Sequence, residues 1–519
     1  MTQKTALLIL LIALSTGCRE KEDTPTPSEV DLQTQSEDLF RPKYHFSPPT
    51  GWLNDPNGLV YHDGRYHLFY QHYPNATVWG PMHWGHAVSE DMVQWEHQPI
   101  ALFPDEKGMI FSGSAVADTQ NTSGFGVAGK VPLVAIFTYH AMQGEKSGRN
   151  DFQTQGIAYS LDNGITWKKY EGNPVLGNNG IRDLRDPKVF WHEGTQSWIM
   201  VLVAGDHAKL YRSNTLKDWD NISDFGEGQG AQGGVWECPD LFPLRVEGTD
   251  EKKWVLIISI GSGGPNGGSA TQYFVGDFDG TTFTSDQMRY KWLDWGTDNY
   301  AGVTYNNTPN NERIFIGWMS NWQYALKTPT HPWRSAMTLP RKLTLHRINN
   351  EYVLYNYPLT TMTALSEDAE SREEKIAVGE NVIMAYPNLN SSQIAFKVPK
   401  QDFKLTFSNT KNEKTVVLLD AASHLLMLDR TASGTTDFHY EFGNKLHYAA
   451  LENVSDDLEI TIFLDTASIE VFLNKGQYVM TDQLFPSVPY TQLKIENLSN
   501  RELRIRDLQV RAIRSLSSD

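Results

Sequence analysis

Trp52-Leu53-Asn54-Asp55-Pro56-Asn57-Gly58 places one carboxylate, Asp55, between an asparagine and a proline. Proline fixes φ and Asn-Gly tolerates positive φ, so a tight, pre-set turn is expected here. A rigid backbone suits a nucleophilic carboxylate, because its aim must hold without help from solvent. Taken alone, Asp-Pro-Asn-Gly is a common surface turn. Two acidic motifs further along the chain change its meaning.

The first is Arg185-Asp186-Pro187 and the second Trp236-Glu237-Cys238-Pro239-Asp240. Each sets an acid beside a proline and close to a cation or an aromatic. An adjacent guanidinium favours the ionised carboxylate, so Arg185 is expected to hold Asp186 charged. Trp236 and Cys238 are expected to give Glu237 the apolar setting that a general acid uses at neutral pH.

The three motifs, in this order, resemble glycoside hydrolase family 32, the invertases, inulinases and levanases. Phe111-Ser112-Gly113-Ser114-Ala115 looks like the family's Phe-Ser-Gly-Ser motif, and Asp294-Trp295-Gly296 with Asp298 and Tyr300-Ala301 resembles another family segment. Ile316-Gly317-Trp318-Met319-Ser320-Asn321-Trp322 is a third such stretch. The resemblance runs from about Arg41 to about Ser487. It implies an all-β protein, a five-bladed β-propeller followed by a C-terminal β-sandwich. It also implies catalytic roles for Asp55, Asp186 and Glu237, and a fructose pocket drawn from Trp52, Asn54, Gln71, Trp79, Phe111, Ser112, Arg185 and Trp318. No metal and no cofactor is expected, and no His pair has zinc-helix spacing.

Composition is compatible with this. The chain has 519 residues, enough for two to four domains, of which 40% are hydrophobic and 12% aromatic. Its formal net charge of −17 argues against nucleic acid, whose phosphates it would repel, and is immaterial to a neutral sugar polymer. The two cysteines allow one disulfide at most. Cys18 has a different expected role. Lys4 and the apolar run Ala6 to Leu14 read as a secretory signal too short to span a bilayer, and Gly17-Cys18 at its end resembles a bacterial lipoprotein signal. Ser15 departs from that pattern, with Leu14 one place early. Lipidation of Cys18 would make an N-terminal lipid anchor the only contact with a membrane. The charged, Pro-rich residues 19–40 read as a tether. Their acidity resembles export signals of outer-membrane surface lipoproteins, the periplasmic face being the alternative, and association with a surface glycan-uptake system would follow.

A loose repeat of strand, polar turn and aromatic recurs four times. It closes at Trp95, Trp167, Trp219 and Phe283, at intervals of 72, 52 and 64 residues. Repeats of one β-meander each argue for a propeller with insertions. Radial blades would bring Asp55, Asp186 and Glu237 together in one funnel. After Arg341, alternation in Gln393–Val398 and Asp457–Asp465 signals half-buried antiparallel strands. The expected division is a signal over 1–18, a tether over 19–40, a propeller over 41–345, a linker region over 346–375 and a sandwich over 376–519.

The resemblance implies a retaining glycosidase acting on levan, inulin or sucrose, with Asp55 as nucleophile, Glu237 as acid and then base, and Asp186 stabilising the transition state. A sucrose-specific invertase or a fructosyltransferase is the alternative. A non-catalytic fructan-binding lipoprotein is the third reading, opposed by the presence of all three carboxylates.

Overall fold

The computed structural model describes residues 39–127 and 129–514. Cys18 and the expected signal lie outside the described residues. The described residues are almost wholly β. Residues 51–358 form five sheets of antiparallel strands, joined at one point by a parallel pair, the blades of a propeller. The first strands of blades I to V are Gly51–His62, Met109–Ala117, Leu184–His192, Trp236–Arg245 and Tyr300–Thr304. These strands touch one another in ring order and enclose the axis. The ring is fastened by two residues between the second and third strands of blade V: Trp333 and Arg334 pair in parallel with Gly51 and Trp52 of blade I.

The four-fold sequence repeat is the outer half of blades I to IV. In each, the third strand ends in a turn, and the closing aromatic introduces or begins the fourth strand, at Glu96, Lys168, Asp220 and Phe283. Side-chain oxygens fix the first three turns: Ser89, Ser160 and Ser213 each accept backbone N–H groups, as Asx- and ST-turns do.

The second domain stacks two six-stranded antiparallel sheets around a core of Ile, Leu, Val and Phe. Strands such as Phe403–Ser408 and Lys414–Asp420 alternate buried and half-buried residues, the pattern of one face on the core and one toward water.

Two boundaries differ from expectation. The linker region expected at 346–375 contains the last propeller strand, Glu351–Pro358, which pairs residue for residue with Arg341–Ile348, and the first sandwich strand, Arg372–Ile376. Apart from buried Arg341, the charged residues of this hairpin face outward, so it reads as linker although its other face is buried. The tether ends earlier than residue 40: Phe40 is buried and packs edge-on against Phe485 at 5.2 Å. Among the described residues no helix is long and apolar enough to cross a membrane.

The seam between the domains is polar and buried. Asp294-Trp295-Gly296-Thr297-Asp298 lies along the sandwich strand Tyr478–Gln483, with Trp295 N donating to Val479 O at 2.7 Å and Asp298 N to Thr481 O at 3.0 Å. A Cβ on Gly296 would stand 2.1 Å from Thr481 O, so only glycine fits this approach. Arg341 donates to Asp294, Asn356, Glu470 and Thr481, and Arg430 to Asp298 and Tyr324. The motif Asp294–Asp298 therefore joins the domains.

Candidate active site

Each of the five first strands is interrupted at the same level. Between the pairs Leu53–His72 and Pro56–Tyr70, Asn54 and Asp55 oppose Gln71 alone. Phe111 and Ser112 oppose Thr138 alone, Asp186 and Pro187 oppose Leu202, Cys238 and Pro239 oppose Ile258, and Ala301 and Gly302 oppose Gly317. These are β-bulges, where two residues face one and the strand re-aims its side chains. Proline, which cannot donate to the ladder, is tolerated there. Asp186, Cys238 and Ala301 sit at φ of 63°, 46° and 54°, in the left-handed region. The turn expected around Asp55 is thus a bulge inside a strand, and a ring of bulges points side chains into the mouth of the funnel.

The funnel mouth is a cavity of about 230 Å³ lined by Asn54, Asp55, Gln71, Trp79, Phe111, Ser112, Arg185, Asp186 and Glu237, as expected. His140, Glu145, Gln153, Asp183 and Trp322 complete it, and sequence reasoning did not single these out. Trp52 and Trp318 are fully buried behind the wall and do not line it. Trp318 packs on Trp322 with centroids 4.8 Å apart, so Trp322 presents the indole to the cavity. Trp52 acts through its neighbour: its Nε1 donates to Asn54 Oδ1 at 2.7 Å, which turns Asn54 Nδ2 toward Asp55 Oδ1 at 2.9 Å.

Asp55 accepts three hydrogen bonds. Besides Asn54, Ser112 Oγ donates to Oδ2 at 2.6 Å, and the Cys238 thiol lies 3.4 Å from the same oxygen. Burial and the nearby Glu237 raise the Asp55 pKa above the ordinary carboxylate value, and these donors oppose the rise. Asp186 accepts the Cys238 backbone N–H at 3.1 Å. Its pKa is raised to about 7: burial, with Glu237 and Asp55, outweighs Arg185, whose Nε is 3.8 Å away. Arg185 does not hold Asp186 in the ordinary ionised range as expected, because its fork is committed elsewhere. Nη1 donates to Asp183 at 2.7 Å and Nη2 to Glu237 Oε1 at 3.0 Å.

The Glu237 setting also differs from expectation. Trp236 points away into the core and donates to Ala231 O, and Cys238 faces the two aspartates. The Glu237 carboxyl lies between Arg185 and the hydroxyl of buried Tyr300, which donates to Oε2. Alternation along the strand sends Glu237 to the side opposite its neighbours. Phe111 stacks on His140 at 4.2 Å, and His140 Nε2 lies 3.1 Å from Glu145, closing the outer wall. Burial lowers the His140 pKa, against the pull of Glu145.

Three carboxylates from three blades thus meet over an aromatic-walled pocket. The model for the N-terminal domain of glycosyl hydrolases family 32 matches residues 45–358, and the C-terminal model matches 366–512. The chain belongs to glycosyl hydrolase family 32. It is 43% identical over 488 residues to a levanase of Bacillus subtilis, covering 92% of this chain and 71% of that one. It is 42% identical over 487 residues to an extracellular exo-inulinase of Aspergillus niger, covering 86% and 90%. Among solved structures, the exo-inulinase of Aspergillus awamori superposes with a TM-score of 0.85 at 37% identity over 93% of this chain and all of that one. This family 32 chain is accordingly a glycosidase that hydrolyses fructans, and the propeller with its sandwich is the family's architecture.

Proposed function

We propose that the protein is an exo-acting, retaining β-fructosidase that removes terminal fructose units from levan or inulin and also cleaves sucrose. The observation that carries this is the funnel mouth. It ends in a cavity of about 230 Å³, below the ~300–1,000 Å³ of pockets that enclose drug-sized ligands, so it suits one sugar ring at a chain end. Asp55 and Glu237 both project into it. A retaining glycosidase holds its two carboxyl groups about 5–5.5 Å apart, so that one attacks the anomeric carbon while the other serves the leaving group.

In this reading Asp55 attacks C2 of the fructosyl unit. Its hydrogen bonds from Asn54 and Ser112 fix its aim. Glu237 gives its proton to the leaving oxygen and then takes one from the attacking water. Arg185 and Tyr300 hold its two oxygens in place. Asp186 accepts hydrogen bonds from fructose hydroxyls and stabilises the oxocarbenium-like transition state. Trp79, Phe111 and Trp322 supply faces for the sugar's C–H groups.

Chromatography of early levan and inulin digests tests the exo mode: free fructose is expected from the first minutes, and a ladder of oligosaccharides would refute it. Hydrolysis in aqueous methanol tests retention, with methyl β-fructofuranoside as the expected transfer product and the α-anomer as the refuting one. Asp55→Ala is expected to lower kcat by several orders of magnitude, and a tenth of wild-type turnover would remove Asp55 from its role. The extracellular relatives and the Gly17-Cys18 signal support an exported enzyme anchored by a lipid on Cys18. Cys18→Ala should move activity from the membrane fraction to the soluble one.

A further inference from the structure

The catalytic pocket occupies the starting ends of the five first strands. The far ends of the first strands of blades II to V border a second concavity, of about 910 Å³, reached by Ala117, His192 and Arg245 and by Asn306 and Asn307 just past the first strand of blade V. At ~3.3 Å per residue, Asp186 and His192 on one strand are about 20 Å apart, so the two cavities open at opposite faces of the propeller.

This groove has the chemistry of a sugar site. Trp191 and Trp254, both half-buried, line it with Phe190. Trp254 is locked against Phe278 with centroids at 5.0 Å, and Trp191 edge-on to Trp198 at 5.2 Å, so both indoles are pre-positioned. Two lining groups carry buried donors, Trp191 Nε1 and Arg313 Nε, that have no hydrogen-bond partner among the described residues. A hydroxyl-rich chain seated in the groove would bring acceptors to both. Exposed Asn307, Asn310 and Asn311, all at positive φ, present amides along the rim. The lining holds four Lys or Arg side chains against three Glu, in a chain of net charge −17, and Lys342 is already paired to Glu312 at 2.6 Å. Such a balance favours a neutral, hydroxyl-rich ligand over an anion or a cation.

We propose that this groove is a second, non-catalytic binding site for β-fructan. The proposal rests on the fructosidase reading for its choice of polymer. A chain held there stays near the enzyme while its free end is trimmed, so the next cut draws on a raised effective concentration.

The test uses the full chain silenced by Asp55→Ala, with excess fructose to fill the catalytic pocket, run in native gels cast with levan or inulin. The parent should be retarded, and Trp191→Ala with Arg313→Met should reduce the retardation at least fivefold. In the active background the same pair should raise KM for the polymer several-fold and leave kcat/KM for sucrose unchanged. Trp191→Phe, which keeps the packing on Trp198 and deletes the donor, covers the case in which the pair does not fold. It should weaken retardation at least twofold. Retardation indifferent to these changes, or abolished in the parent by fructose alone, overturns the groove. Fructose release by the wild type is followed in parallel: an enzyme that releases none loses the fructosidase reading, while the gels still decide the groove.

Discussion

Ser112 is 57 positions from Asp55 in sequence and 2.6 Å from it in space. Its hydroxyl is one of three donors that oppose the upward push on the Asp55 pKa. Ser112→Ala should therefore move the acidic limb of the kcat/KM profile to higher pH. Hydrogen bonds to charged groups contribute about 1.5–3 kcal/mol, so activity on the acid side should fall roughly ten- to a hundredfold, more than at neutral pH. An unmoved limb would mean that the nucleophile is not what the limb reports. Asp186 yields a prediction of opposite sign for stability. Its folded pKa of about 7 exceeds the ordinary 3.8, so ionising it in the native state costs stability that accrues as pH rises from about 4 through 7. Asp186→Asn should remove that cost, on the order of 4 kcal/mol at pH 8, and raise Tm there while eliminating turnover. Equal Tm values at pH 8 would contradict it. The acids themselves were legible in the sequence because each sits in a short motif with proline. Trp322 was not separable from Trp318, since both are tryptophans in one stretch and only packing decides which faces the cavity. His140 ends a strand, Glu145 lies in the short helix Met142–Lys146 and Asp183 in a loop, none with a periodic pattern, although Arg182-Asp183 just before the Arg185 motif was a usable hint.

At the scale of elements, the sequence showed strands and repeats but misjudged their interruptions. Asp-Pro, Gly and Cys-Pro break the two-residue alternation, and a broken alternation reads as a turn. The chain instead continues as a strand across a bulge; in blades III to V the preceding blade accepts the freed N–H, of Asp186 on Thr138, of Cys238 on Asp186 and of Ala301 on Ser259. The hairpin 341–358 was hidden for a related reason: its outward face is charged, and single-strand pattern cannot show the partner strand. Gly51 begins the blade I strand at φ 78°, and a Cβ there would meet Tyr73 O at 2.4 Å. Gly64, in the next hairpin at φ 82°, has open space around it. Gly51→Ala should thus lower both Tm and kcat, since it displaces Trp52 and with it Asn54. Gly64→Ala should cost only about 1 kcal/mol of stability and no activity. Similar effects on kcat from the two substitutions would disprove this role for Gly51.

At the scale of the molecule, the two domains share buried charges. Asp465 accepts the backbone N–H groups of Lys43, Tyr44 and His45, and His45 bridges it to Glu470 through contacts of 2.7 and 2.8 Å. Burial alone would lower the His45 pKa, but the two carboxylates raise it to about 9, and Glu470 falls to about 2. The stabilisation from His45 is complete below its unfolded pKa of about 6.5 and is lost as pH rises through about 9, an effect of order 3 kcal/mol. Thermal unfolding across pH 6.5–9.5 should show this loss in the wild type and a lower, flatter curve in His45→Gln. Parallel curves would place the alkaline instability elsewhere. Phe40 belongs to the same seam, so deleting residues 19–37 should leave Tm unchanged, whereas deletion through Phe40 should lower it. Chain order gave no sign of this seam, because its partners are hundreds of positions apart.

The clasp of Trp333 and Arg334 on Gly51 and Trp52 has a consequence in time. The residues that aim Asp55 are translated early, but the strand that fastens them emerges 282 positions later. At ~5–20 residues per second this is a delay of roughly 15–55 s. Until then the ring around the funnel stays open, so a chain that ends before Trp333 is expected to be inactive even though it already carries Asp55, Asp186 and Glu237.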